Sequence, residues 1–144
     1  VTLGARAAEV ESRRLPQLQQ AFVTTAKRWS KRLALADSTG RKLNYREALV
    51  ASHLLAARLR RLDGRMVGIV MPASVGGALA NIASLFAGKV PVNLNFTIGK
   101  DAMESAIAQC GIRHIVTSRA FLGKVKLEER EGMVFVEDLL GGIG

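Results

Sequence analysis

Met71-Pro72-Ala73-Ser74-Val75-Gly76-Gly77 is the segment of this sequence that comes nearest to an anion site. It joins a strand-like run to the start of a helix, where free amides and the helix dipole favour negative charge. The same residues are accounted for without a ligand if Ser74 caps the helix and Gly76 and Gly77 let it pack closely on a sheet. No GxxxxGK[ST] occurs and no GxGxxG follows a strand, so the familiar phosphate-cradling loops are absent. Cys110, the single cysteine, falls on the apolar stripe of its helix, where a thiol behaves as a small hydrophobe. His53 lies on a solvated helix face and His114 opens a strand behind Arg113; neither has a Ser or Cys at a spacing that suggests a triad. Glu128, Glu129 and Glu131 form a charged run with no further ligands to complete a metal site. Arg58, Arg60, Arg61 and Arg65 are the sharpest basic cluster. Such a cluster is a solvated face by default, and otherwise a docking patch for an acidic partner or an anionic membrane surface. Read residue by residue, the chain offers a fold and no active site.

The elements that would carry these residues follow from periodicity and turn signals. Residues 1–14 are mixed in charge and weakly periodic, so they read as a linker or loosely held arm. A helix is expected from Pro16, with Leu18, Phe22, Thr25, Ala26 and Trp29 as one buried stripe. Lys27, Arg28, Lys31 and Arg32 crowd its end, where they suit the negative pole of the dipole. Leu33–Asp37 and Lys42–Asn44 flank a turn at Gly40 and read as a hairpin. Asn44-Tyr45-Arg46-Glu47 has capping-box spacing, and the helix it opens runs to about Leu62 with Ala48, Ala51, Leu55, Leu59 and Leu62 facing inward. Beyond Gly64 the period changes. Val67–Met71 is a continuous apolar run, as expected for a strand covered on both faces. A helix over Val75–Ala87, a strand over Val90–Asn95, a helix near Lys100–Gln109 and strands at His114–Thr117 and Met133–Val136 complete the series. Strands alternating with helices through short joints imply right-handed crossovers, hence an α/β fold with a partly parallel sheet and flanking helices.

Composition narrows the function classes. The chain has 144 residues, 49% of them apolar and 23% charged, enough for one domain or a piece of a larger one. It opens on Val1 and carries no signal-peptide pattern, and it reads as a segment of a longer polypeptide. The net charge of +9 is lopsided: residues 1–65 hold fourteen bases and five acids, whereas residues 66–144 hold seven of each. One Trp and one Tyr give few platforms for stacking bases, and no nucleic-acid-binding pattern is present, so nucleic acid is not an expected partner. Met66–Gly88 is uncharged and long enough to span a bilayer, but Pro72, Ser74, Gly76, Gly77 and Asn81 fall near its middle, so it reads as a buried strand, a turn and a buried helix.

Three words in the chain carry a family resemblance. Leu43-Asn44-Tyr45-Arg46-Glu47-Ala48-Leu49 is similar to the Leu-Thr-Tyr-x-Glu-Leu segment near the start of adenylate-forming enzymes. Val67–Ser74 resembles their V-x-I-x-L-P-N-S strand and turn, and Leu85–Asn95 resembles L-x-A-G-x-V-P-V-x-L-N, in the same order and at suitable spacing. Pro91–Thr97, Thr117–Leu127 and Val136-Glu137-Asp138-Leu139 look like one branch, the acyl-[acyl carrier protein] synthetase domain of bifunctional 2-acylglycerophosphoethanolamine acyltransferases. The resemblance spans about Leu15 to Leu140.

It implies that residues 15–144 are the N-terminal part of an AMP-binding large domain, itself incomplete. The implied parent is a cytoplasmic ligase, peripheral to or anchored at the inner membrane through the rest of its chain. There a fatty acid carboxylate attacks the α-phosphate of ATP, with Mg²⁺ as cofactor, and the acyl group passes to acyl carrier protein; a fused acyltransferase would then deliver it to a lysophospholipid. The family's Gly/Ser/Thr-rich phosphate loop, its adenine and Mg²⁺ segment, its ribose-binding aspartate and its catalytic lysine have no counterpart here. No catalytic, nucleotide-binding or metal residue therefore carries over, and the segment is expected to be inactive alone and, with apolar surface and an unpaired sheet edge exposed, to be marginal as a monomer or to self-associate. Two rivals remain: an acyl-CoA synthetase fragment, and a stand-alone α/β module docking through its basic half.

Overall fold

The structure, a computed structural model, describes residues 16–140, so the arm read over residues 1–14 lies outside them. In chain order the elements are α1 (Leu18–Arg28), β1 (Leu33–Ala36), β2 (Lys42–Asn44), α2 (Tyr45–Leu59), β3 (Met66–Ile69), α3 (Val75–Phe86), β4 (Val90–Asn93), α4 (Lys100–Cys110), β5 (His114–Thr117), α5 (Arg119–Val125), β6 (Met133–Phe135) and α6 (Val136–Leu140).

Local chemistry sets the boundaries. The Asn44 side chain accepts from the Glu47 amide at 2.9 Å while the Glu47 carboxylate accepts from the Asn44 amide at 2.8 Å, so α2 opens on a reciprocal capping box. Ser74 caps α3 by accepting from the Gly77 amide at 3.1 Å. Gly111 ends α4 in the left-handed region at φ +61°. β1 and β2 pair antiparallel across the Gly40 turn.

The remaining strands form a wholly parallel sheet in the order β4-β3-β5-β6. Its inner strands are buried on both sides, and that explains why Val67–Ile69 and Ile115–Thr117 show no polar alternation. On one face Leu55, Ala56 and Leu59 of α2 and Ala80 and Ala83 of α3 pack on Val67, Ile69 and Val116, joined by Val136 and Leu139 of α6. On the other, Met103 and Ile107 of α4 and Phe121 of α5 pack on Val70 and Ile115. Ala48, Val75 and Leu79 bind the hairpin and Phe22 to this framework. The uncharged run 66–88 is thus a strand, a turn and a helix, and no helix among the described residues is long and apolar enough to cross a membrane.

Several expectations are corrected. α1 begins at Leu18 rather than Pro16, and its stripe is narrower than the spacing suggested. Ala26 is buried and Phe22 half-buried against Tyr45 and Phe86, but Leu18 and Trp29 stand exposed. A helix with partners on one side only buries less than its apolar positions offer. α2 ends at Leu59, with Leu62 packing from the loop beyond it, and β4 stops at Asn93. α5 and α6 were not foreseen, because seven and five residues are too few to display a period.

Candidate functional site

β3 leaves the sheet toward β4 through α3, and β5 leaves it toward β6 through α5. These exits diverge onto opposite faces, because right-handed crossovers in opposite directions place their helices so. Between the carboxyl ends of β3 and β5 the strand order therefore reverses, which in open α/β sheets is where a binding crevice forms. A crevice of about 460 Å³ lies there, lined by Pro72, Ser74 and Gly76 on one side and by Ser118, Lys124 and Glu137 on the other. The buried Thr117 hydroxyl, at the end of β5, donates to the Val70 carbonyl at 2.7 Å and ties the two strand exits together.

The two helix N-termini at this mouth are already served by carboxylates of the chain itself. At α3, Asp37 accepts from the Val75 amide at 2.9 Å, reaching across from the hairpin turn. The Thr39 hydroxyl, foremost, and the Val75 amide hold the Asp37 carboxyl below its ordinary range, so it stays ionised. At α5, Glu137 accepts from the Ser118 hydroxyl at 2.9 Å and the Arg119 amide at 3.0 Å. The Arg119 guanidinium forks onto Asp138 at 2.8 and 2.7 Å and lies 4.0 Å over the Phe135 ring. That pairing lowers the Asp138 carboxyl and raises Arg119.

The turn 71–77 is accordingly a packing joint. A Cβ on Gly77 would fall 2.7 Å from the Pro72 carbonyl oxygen, so glycine is needed for the first turn of α3 to sit against the strand exit. An external anion would meet Asp37 where the free dipole end was expected. The hydroxyls of Ser74 and Ser118 are engaged as caps, and neither has a histidine beside it. The arrangement can position a neighbouring segment; it holds no activated nucleophile.

The other residues singled out in sequence lie apart from this mouth. Cys110 is half-buried at the end of α4, against the cluster under that helix. His53 is exposed and stacks on Phe86 at 4.6 Å. His114, at the amino end of β5, bonds through Nε2 to Asp63, which also pairs with Arg113. His114 first and Arg113 next pull the Asp63 carboxyl down to about 2. Glu128, Glu129 and Glu131 are exposed in the loop before β6, and among the described residues no group of three or more His, Cys, Asp or Glu could hold a metal ion. Arg58, Arg60, Arg61 and Arg65 are all exposed, and Arg60 donates to the Phe86 carbonyl at 3.0 Å, closing the end of α3.

Sequence reasoning missed Asp37, Glu137 and Lys89. Lys89 is nearly buried and its Nζ donates to the carbonyls of Leu62 and Gly64 at 2.7 and 2.6 Å, pinning the loop before β3. The Asp-Ser-Thr-Gly word at 37–40 signalled a turn, but nothing local showed that its carboxylate would reach residue 75.

The same architecture recurs in solved proteins. The Klebsiella oxytoca NpsA N-terminal subdomain in complex with 3-hydroxybenzoyl-AMSN is similar over 90% of this chain and 33% of that one, at 20% identity and a TM-score of 0.75. NpsA-ThdA, an artificially fused adenylation-PCP di-domain from Klebsiella oxytoca, matches at 20% identity and 0.75 over 90% of this chain and 24% of its own. The nonribosomal peptide synthetase FmoA3 in its AMPPNP-bound form matches at 21% identity and 0.72 over 82% of this chain and 13% of that one. This chain therefore spans about a third or less of the length of these proteins, and the likeness establishes the fold: an α/β unit corresponding to part of the N-terminal subdomain of adenylate-forming enzymes. The AMP-binding enzyme description fits residues 22–139, from α1 through α6. A match running through nearly every element around the divided sheet places this chain in the AMP-binding enzyme family.

Proposed function

We propose that this chain is the opening segment of an ATP- and Mg²⁺-dependent acid:thiol ligase, and that it serves there as scaffold. The observation that carries the reading is the family match over residues 22–139, within which the three adenylate-forming words fall on the capping box of α2, the β3–α3 joint and the α3–β4 joint. In that reaction a carboxylate oxygen attacks the α-phosphate of ATP, pyrophosphate leaves, and a thiol then takes the acyl group from the adenylate with release of AMP. The capped N-termini of α3 and α5 fit a supporting role, because they leave no free amide cluster for a phosphate. The finer reading is a fatty acid as the acid and acyl carrier protein as the thiol, after the branch-like words at 91–97, 117–127 and 136–139. A carrier-protein acceptor is supported by the fused carrier domain of NpsA-ThdA. An attached acyltransferase belongs to the same branch resemblance.

The test is fatty-acid-dependent exchange of labelled pyrophosphate into ATP, run on this chain and on the same chain extended through its natural reading frame. Exchange in the extended protein alone is the expected result. Exchange in neither removes the ligase reading. Supplying the extended protein with holo-acyl carrier protein or with coenzyme A then separates the two acceptors, since only the true thiol releases AMP in step with thioester.

A further inference from the structure

We propose that the corner of the molecule around Trp29 is a docking site for an anionic lipid bilayer. Trp29 caps the carboxyl end of α1 and its indole is 40% exposed. The guanidinium carbons of Arg32 and Arg28 lie 4.0 and 5.1 Å from its ring centroid. Leu33, at the start of β1, is 60% exposed, and Leu18, at the start of α1, is 69% exposed. Eleven residues of helix return close to the starting direction, so Leu18 and Trp29 project from one edge of α1. Lys27, Arg28, Lys31 and Arg32 flank Trp29 in the chain, and residues 16–36 contain no Asp or Glu.

An exposed indole and leucines beside cations that have no carboxylate partner among the described residues match the boundary between headgroups and acyl chains. The amphipathic ring sits at headgroup level, the aliphatic side chains enter the acyl region, and the guanidiniums meet lipid phosphates. The same charge explains the need for an anionic leaflet, since each basic residue near such a surface strengthens binding about five-fold. The cluster at Arg58, Arg60, Arg61 and Arg65 differs: it has no aromatic ring, its exposed Leu54 stands alone one turn before Arg58, Asp63 lies within it, and Arg60 is engaged by Phe86. The inference is independent of the ligase reading.

Trp29 is the only tryptophan, so its emission reports on the site directly. The 144-residue chain is titrated with vesicles of phosphatidylglycerol mixed into phosphatidylcholine, and with phosphatidylcholine alone. A blue shift with the anionic vesicles only, weakening as salt shortens the Debye length, is expected. The double variant Arg28→Gln/Arg32→Gln should lower partitioning about twenty-five-fold, from the same per-residue factor. Arg58→Gln/Arg61→Gln should leave it unchanged, and thermal melts establish that both variants fold. The proposal is overturned by no shift with anionic vesicles, by an equal shift with neutral ones, by binding that survives the first variant, or by binding that fails in the second. Retention on polyglutamate without vesicle binding also overturns it, in favour of an acidic protein partner.

Discussion

Asp63 and Asp37 are both carboxylates held ionised by donors, and they set how the molecule responds to acid. Asp63 titrates at about 2 in the fold against an ordinary 3.8, so its contribution is complete above that ordinary value and is lost as pH falls toward 2. Asp37, lowered in the same direction by Thr39 and Val75, adds to the same acid limb. Replacing Asp63 by Asn should flatten the loss of stability between about pH 4 and 2, seen in urea midpoints across that range; an unchanged slope would mean the Asp63–His114 pairing does not persist in solution. Gly77 supplies a second check. Gly77→Ala presses a methyl onto a carbonyl and should cost about 1–3 kcal/mol, whereas the same change at Gly76 meets only the flexible end of Met71 and should cost less. Denaturant titration of the two variants measures the difference. At this scale the sequence showed what is local. Ser74 as a cap and Asn44 with Glu47 as a box were readable because their partners lie three residues away. Asp37 and Glu137 were not, because their partners lie 38 and 18 residues off and depend on how the hairpin and α6 pack.

Among the elements, α2 carries much of the core. Leu55 and Leu59 are fully buried under the sheet together with Ala56, and α2 packs along α3. Leu55→Ala should therefore cost about 2–5 kcal/mol, the range for a truncated core leucine whose surroundings collapse only in part. A cost below 1 kcal/mol, read from the shift in denaturation midpoint, would show that the α2–sheet contact is loose. The long elements were legible because their apolar spacing persists for several turns or fills a strand buried on both faces. α1 shows the limit of that logic: its spacing offered a full stripe, but Leu18 and Trp29 are exposed, and none of the described elements covers them. α5 and α6 fall below the length at which spacing speaks, and with them went five of the thirteen residues lining the crevice.

For the whole molecule, the alternation of strands and helices gave the α/β class, but not the order β4-β3-β5-β6 nor the reversal that opens the mouth between β3 and β5. Order depends on which face each connecting helix takes, and α5 was needed to see that. The two open sides of the sheet differ as well. Val90 and Leu94 donate their amides to the carbonyls of Arg65, just before β3, and of Ile69 at its end, so by alternation residues 91 and 93 turn outward, and Pro91 has no amide to give. β6 carries no such block among the described residues. Sedimentation at rising concentration should show association of this chain, and it should stop at a dimer; a single species throughout, or open-ended growth, would contradict this. The reason is the arithmetic of polymer chemistry. A monomer with one reactive end can join another of its kind once, about a two-fold axis, and the product has no end left to extend. A single imino acid on β4 thus makes the isolated sheet a chain terminator, and fibre growth by edge addition is closed to it.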